Sequence, residues 1–205
     1  METLSTTENN ILMAQARESL RDKWGLVIGT FTLYLVITIP IACIPVAGWI
    51  ISILIGGPMS IGIAIFTLSV SRKQEAQLAQ IFEGFQKFSV GLGAYLLMAI
   101  FIILWMLLLI VPGIIAALSY SMTYFIIADN NSIGALDAIT KSKEMMRGNK
   151  WKLFCLGFRF FGWGLLCILT FGIGFIWLYP YMMVSFAQFY EDIKRQETVV
   201  KQQMA

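Results

Sequence analysis

Arg159 is the strongest candidate for a functional side chain, because it is the one charge inside the otherwise uncharged stretch 153–190. On a helix it lies about 12 Å beyond Trp151 at 1.5 Å per residue. A charge deep in a bilayer costs at least about 2.5 kcal/mol on insertion scales, so it is a functional candidate. Arg159 could contact a lipid phosphate or an anionic ligand. We favour a structural role, either snorkelling to the headgroups or binding a partner on the same side. The acidic candidates for that partner are Asp129, Glu191 and Asp192.

Other residue types argue against catalysis. The 205-residue chain contains no histidine, which excludes imidazole bases, Ser-His triads and imidazole metal ligands. Its three cysteines form no CxxC pair, so the sequence lacks the usual zinc and redox motifs. The apolar stretches hold no carboxylate, although proton and ion pathways are usually marked by buried ionisable groups. The sequence therefore predicts no enzyme, no metal and no cofactor.

Three long stretches that are nearly free of charge must position these residues: 25–71, 88–128 and 153–190. A transmembrane helix needs about 20 residues, so each stretch fits two helices and a turn. Turn residues lie near the midpoints, at Pro45–Gly48, Pro112–Gly113 and Gly172–Gly174. Only 13% of the residues are charged, against about 25% in soluble domains. The predicted fold is all-α, a polytopic membrane bundle of six transmembrane helices in three hairpins.

Polar segments surround the hairpins. We expect an amphipathic segment at 1–24, a transmembrane domain at 25–192 with hairpins at about 25–71, 88–128 and 151–192, short amphipathic helices at about 74–87 and 132–148, and a tail at 193–205. Leu78, Ile81, Phe82 and Phe85 share one face of the first short helix, and Ser132 can cap the second. Both helices could lie at the headgroups or pack beneath the bundle.

The distribution of charge predicts the orientation. Every basic residue except Arg159 lies before, between or after the hairpins, on one side of the membrane, and the three opposite turns are uncharged. The positive-inside rule then places both termini and both long loops in the cytoplasm. Trp24 and Trp151, which begin the first and third hairpins, are expected to be interfacial anchors.

An internal repeat is predicted as well. Ala16–Trp24 and Ser142–Trp151 align with one inserted residue, and the second helix of each following hairpin carries a proline, Pro58 or Pro180, which should kink it. We infer three parallel units of about 60 residues; chance similarity between basic flanks is the alternative. The small-residue pair Gly25 and Gly29 predicts a close helix contact.

The third hairpin carries motifs that resemble a known family. They are Leu153–Cys155, Gly162–Trp163, Leu169–Gly174, Trp177–Tyr181 and Phe189–Ile193, with Val111–Ile114 and Tyr124–Asp129 upstream. From Ala16 to Ile193 the chain resembles the bacterial integral membrane proteins of domain of unknown function family 975. It is similar, more distantly, to the membrane domains of glycerophosphodiester phosphodiesterases. The resemblance implies a bacterial inner-membrane protein of about six spans and supplies no reaction or catalytic residue.

The expected function is non-enzymatic, as a lipid-interacting or accessory protein of the inner membrane. Membrane lipids are the expected partners and nucleic acid is not; a protein partner or a second copy stays open. The alternative is a transporter or channel for a small or amphipathic solute, which needs a continuous polar path. The hydroxyl side chains that could line such a path are Thr30, Thr32, Thr38, Ser119, Ser121 and Thr123.

Overall fold

The computed structural model describes residues 4–45, 47–170 and 172–204, and within these ranges the chain is helical, without a strand. The all-α prediction is therefore confirmed. The helices are α1 Asn9–Leu20, α2 Trp24–Ala42, α3 Ala47–Ser71, α4 Gln80–Glu83, a 3₁₀ turn Gly84–Lys87, α5 Phe88–Leu108, α6 Ile110–Tyr120, α7 Thr123–Asp129, α8 Ala135–Met145, α9 Lys150–Leu169 and α10 Phe175–Met204.

Five helical stretches of the described chain are long and apolar enough to cross a membrane: Trp24–Ile41, Ala47–Ser71, Gln80–Leu108, Ile110–Asp129 and Lys150–Leu169. The helix α10 is not among them. Its apolar part, 175–190, provides only about 24 Å at 1.5 Å per residue before Glu191 and Asp192. The same helix continues through 193–204, the segment expected to be a tail. The sixth span therefore stays a prediction.

The turn expected at Pro112–Gly113 is wrong. The chain breaks three residues earlier, at Leu109, whose backbone is extended (φ −164°, ψ 147°). Pro112 lies in the first turn of α6, where a backbone N–H has no intrahelical acceptor and a proline therefore costs little. The other two breaks between long helices fall at or beside the expected turns, between Ala42 and Ala47 and between Leu169 and Phe175. The arrangement in hairpins stays a prediction.

The short helices also differ from expectation. The helical part of 74–87 begins only at Gln80, and of its apolar face Ile81 alone is buried, whereas Leu78, Phe82 and Phe85 are exposed. The helix expected at 132–148 spans Ala135–Met145 and is not capped by Ser132. That residue instead bonds to the Asn130 side chain, 3.0 Å from its Oδ1, because the loop folds back on itself before the helix starts.

The packed core lies at one end of the bundle. We call this the charged end and define it by α1, α8, the loop 72–79 and the second half of α10. Leu68, Leu156 and Phe189 are buried there. The opposite end, which we call the turn end, holds the breaks between α2 and α3, α5 and α6, and α9 and α10. Its apolar side chains, such as Leu107 and Leu169, are exposed.

Glycines allow α3 to lie directly against α4, the 3₁₀ turn and α5. A Cβ atom at Gly62 would overlap the carbonyl oxygen of Ile81, and one at Gly84 would overlap that of Pro58. These positions can therefore hold only glycine without moving a backbone. The contact expected at Gly25 and Gly29 is wrong, since a Cβ atom on either glycine meets no described atom within 4 Å.

Candidate functional site at the charged end

Arg159 lies on the exposed side of α9, and its guanidinium bonds to a neutral group. The Nη1 atom donates to Oδ1 of Asn10, at the start of α1. The carboxylates proposed as its partners bind other side chains, as described below. The sequence did not reveal Asn10, because nothing in its pattern shows that α1 packs beside α9.

Arg72 has the structural role that the sequence suggested for Arg159, because it is the cation that ties helices together. Its Nη2 atom lies 2.7 Å from Oδ1 of Asp129 and 2.6 Å from Oε1 of Glu191, so it joins the ends of α3 and α7 to α10. Lys194 also pairs with Asp129, and the Tyr190 hydroxyl donates to that carboxylate over 3.1 Å. Two cations and two anions thus balance each other.

Burial and hydrogen bonding act in opposite directions on this arginine. Burial disfavours the charged guanidinium and by itself would lower the pKa of Arg72. The hydrogen bonds to Glu191 and Asp129 outweigh it and raise that pKa above its ordinary value. These two carboxylates therefore favour the charged form of Arg72.

Lys87 closes the end of α7. Its ammonium donates to the carbonyl oxygens of Ile127, Ala128 and Asn130, the last two over 3.2 and 3.4 Å. These groups include the unpaired carbonyls at the end of a helix, where a cation is favourable. The contact links the start of α5 to the end of α7.

A second polar cluster fastens the segment before α1 to α10. We call it the terminal clasp and define it by Ser5, Thr7, Lys152 and Asp192. The Asp192 carboxylate, only 6% exposed, accepts from Ser5 Oγ at 2.5 Å and from the hydroxyl and N–H of Thr7. The ammonium of Lys152 donates to Ser5, 2.9 Å from its carbonyl oxygen.

A polar cavity of about 470 Å³ opens between α1, the end of α3 and α10. Its lining residues are Gln15, Glu18, Ser19, Ser71, Arg72, Lys73, Gln188, Glu191 and Arg195. Lys73 has left-handed backbone (φ 56°), which turns the chain off α3. Its ammonium lies 2.7 Å from Glu18, and this hydrogen bond lowers the pKa of that carboxyl below its ordinary value.

Two apolar grooves flank the first half of α10. One, of about 360 Å³, lies between α9 and α10, and the other, of about 430 Å³, lies between α2 and α10. Phe175 and Tyr179 line both grooves. The ring of Tyr179 contacts Phe31 edge to face, with centroids 5.2 Å apart. The walls of both grooves are thus almost wholly apolar side chains, which suits hydrocarbon chains rather than ions.

Most hydroxyl groups that could have lined a polar path are used within their own helices. Thr30, Thr38, Ser119 and Ser121 donate to carbonyl oxygens three or four residues earlier, over 2.7 to 2.9 Å. The Thr123 hydroxyl is buried and lacks a partner among the described residues. Thr32 borders the groove between α2 and α10, and the transporter or channel alternative stays a prediction.

The anchors and prolines named from the sequence lie inside the expected helices. Trp24 is the first residue of α2, and Trp151, 73% exposed, is the second of α9. Pro58 lies within α3 and Pro180 within α10. Their roles as interfacial anchors and kink sites stay predictions.

One feature of the sequence does point to the ion pairs of Arg72, although it was not used to predict them. Arg72, Asp129 and Glu191 each follow directly after an apolar stretch, at the position where a helix leaves the apolar region. Three such ends meet in the fold, so their charges can pair. Which of the many flanking charges meet depends on helix packing, which hydropathy does not report.

Comparison with known proteins gives one family. The model of the family described as "Protein of unknown function (DUF975)" matches residues 6–119 and 106–197. No curated protein and no solved structure matches the chain. The similarity to glycerophosphodiester phosphodiesterase membrane domains stays a prediction. Since the two matches together run from residue 6 to residue 197, the chain belongs to the DUF975 family, whose function is unknown.

Proposed function

We propose that the chain is a six-span protein of the bacterial inner membrane that acts without catalysis, by interacting with lipid or as an accessory factor. The observation that carries the proposal is the contrast between its two ends. The turn end exposes apolar side chains around two apolar grooves, whereas the charged end is closed by ion pairs. Such a surface is stable when hydrocarbon covers its apolar part.

The helix α10 is proposed as the sixth span. Its first two turns, 175–182, border both apolar grooves and therefore have mostly apolar surroundings. Its apolar part is short for a bilayer of about 30 Å, and local thinning or snorkelling of flanking residues can offset such a mismatch. The second half would then leave the membrane as a cytoplasmic helix.

Both termini are proposed to be cytoplasmic. The basic residues gather at the charged end, and the positive-inside rule places that end in the cytoplasm. The exposed apolar side chains of Leu78, Phe82 and Phe85 support seating of α4 and its flanks at the headgroups, because they face away from the core.

The three hairpins are proposed to be parallel repeats. The first and third follow the same order in the structure, with a short helix, α1 or α8, before a long helix that starts at or beside a tryptophan. The second helix of each carries the proline noted above. Superposition of the two units in an experimental structure tests this, and a different helix order or entry face would contradict it.

Cysteine labelling tests the topology. In a background with Cys43, Cys155 and Cys167 replaced by alanine, single cysteines at Ala47 and Ile173 should react with an impermeant maleimide on spheroplasts. Cysteines at Gln77 and Thr198 should react only after lysis. Equal labelling of Ile173 and Thr198 from outside would show that α10 does not span, and the reverse pattern would invert the orientation.

Filling one groove tests the lipid interaction. A Cβ atom at Gly157, which lines the groove between α9 and α10, meets no described atom within 4 Å. Gly157→Leu should therefore occupy the groove without a clash, and native mass spectrometry of the extracted protein should show less co-purified lipid. Gly162→Leu is the matched control, since Gly162 lies on the same helix in open space outside the groove. Identical lipid retention in both variants and the parent protein would contradict a lipid-binding groove.

A further inference from the structure

We propose that the polar cavity at the charged end binds the phosphate group of a phosphodiester, with Arg195 as its charge partner. The cavity is separate from the apolar grooves, and it would give a lipid-interacting protein a site for a headgroup. In that respect the inference rests on the proposed function, because a membrane lipid is one source of the ligand. A soluble phosphodiester carries the same chemical group and is the other source.

The charges that line the cavity leave one cation without an acidic partner. Lys73 pairs with Glu18, and Arg72 pairs with Glu191 within its balanced cluster. Arg195 lines the same cavity, is exposed, and has no ion pair among the residues that the structure describes. The cavity therefore holds one positive charge in excess, which matches the single negative charge of a phosphodiester.

Hydroxyl groups add hydrogen-bond donors beside this cation. Ser71 lines the cavity and is 7% exposed, and its hydroxyl lacks a partner in the described part of the chain. The Gln188 amide donates to Ser19 Oγ over 3.2 Å and to the Ser71 carbonyl oxygen over 3.0 Å. Ser19 thus accepts from Gln188 and donates to no described residue, which leaves its proton for a ligand oxygen. An unpaired buried hydroxyl is costly, so turning the Ser71 hydroxyl toward an occupant that accepts from it relieves a real deficit.

The chemistry favours a phosphodiester over other anions. A guanidinium matches the oxygens of a phosphate with paired donors, and hydroxyls bind the remaining oxygens. A phosphate monoester carries up to about two negative charges, which exceeds the single positive charge that the cavity holds in excess. The volume of about 470 Å³ exceeds a bare phosphate and leaves room for the attached glycerol or alcohol group.

Binding to the purified full-length chain tests the site. The probes are glycerophosphoglycerol, which has no acyl chains, phosphatidylglycerol in mixed micelles, and sodium acetate as a carboxylate control. Arg195→Gln should weaken phosphodiester binding about tenfold or more, as loss of a charge-assisted hydrogen bond predicts. Ser71→Ala should weaken it less. Arg147→Gln is the matched control, because Arg147 is an exposed arginine that does not line the cavity.

The outcomes separate this site from the grooves and identify the source. Equal affinity for both phosphodiesters supports the site and indicates a soluble ligand, whereas binding of the lipid alone supports it and indicates a headgroup. Acetate binding as tightly as either phosphodiester would overturn the phosphate assignment. Loss of affinity that is the same in Arg195→Gln and Arg147→Gln, or no binding by either probe, would overturn the site. The topology and groove experiments are independent of all these results.

Discussion

At the residue scale, two arginines near the apolar stretches make different contacts in the fold. Arg72 contacts two carboxylates from two other helices, while Arg159 contacts one exposed amide. Removing Arg72 leaves Glu191 without its cation in a partly buried place. Removing Arg159 leaves Asn10, which water or a headgroup can satisfy.

Arg72→Met should therefore destabilise the protein by about 1–3 kcal/mol, the cost of leaving a partly buried charged group unpaired. Arg159→Leu should change stability by less than about 0.5 kcal/mol, as for most exposed positions. Thermal unfolding of the detergent-solubilised variants measures both. A second substitution, Glu191→Gln, should cost less in the Arg72→Met background than alone, because its cation is already gone. A larger loss from Arg159→Leu than from Arg72→Met would contradict this assignment.

Sequence reasoning about the candidate site reached its chemistry but not its geometry. It identified the class of residue, a cation inside an apolar stretch, because such a charge is visible in the sequence. Arg159 was favoured because the depth of a residue along one helix follows from its position in the sequence. Arg72 and Asn10 acquire their roles only through contacts between helices that are distant in sequence, which residue spacing does not encode.

At the scale of elements, the crossing of α3 with α4, the 3₁₀ turn and α5 depends on glycines. Gly62→Ala and Gly84→Ala each place a methyl group onto a backbone carbonyl of the opposing element. Relief requires the two backbones to separate, so each variant should lose about 1–3 kcal/mol, the usual cost of overpacking. Unfolding in detergent with increasing denaturant measures the loss.

Gly29→Ala is the matched control for this crossing. It makes the same change inside a helix where a Cβ atom has open space, and alanine is the better helix former by about 1 kcal/mol. The control should therefore be neutral or stabilising. If Gly29→Ala and Gly62→Ala lowered stability equally, the close approach of α3 and α4 would be wrong.

The helices themselves were largely predictable, and their ends were less so. Long apolar runs determine that the chain forms helices, and the turns near Pro45 and Gly172 were visible as residues suited to reversals. Pro112 misled the prediction because proline is compatible with both a turn and the first turn of a helix. The helix breaks at Leu109 instead. Nothing in the leucine-rich sequence around this residue distinguishes it from its neighbours.

At the scale of the whole molecule, stability should be concentrated at the charged end. Leu156 is 0% exposed in the core, whereas Leu107 at the turn end is 86% exposed. Leu156→Ala should cost about 2–5 kcal/mol through loss of burial and the cavity it leaves. Leu107→Ala should cost less than about 0.5 kcal/mol, since its side chain contacts detergent or lipid. Similar losses from the two variants in denaturant titrations would mean that the turn end is packed as tightly as the core.

The terminal clasp has a consequence for how the protein is made. The contact between Ser5 and Asp192 joins residues that are 187 positions apart. At about 5–20 residues per second, the ribosome delivers Asp192 roughly 10 to 40 seconds after Ser5. The earlier transmembrane helices would already lie in the bilayer by then, while the segment before α1 still lacks its acceptor, Asp192. The clasp can therefore close only after Asp192 has been synthesised, and a chain truncated before that residue leaves Ser5 and Thr7 without this acceptor.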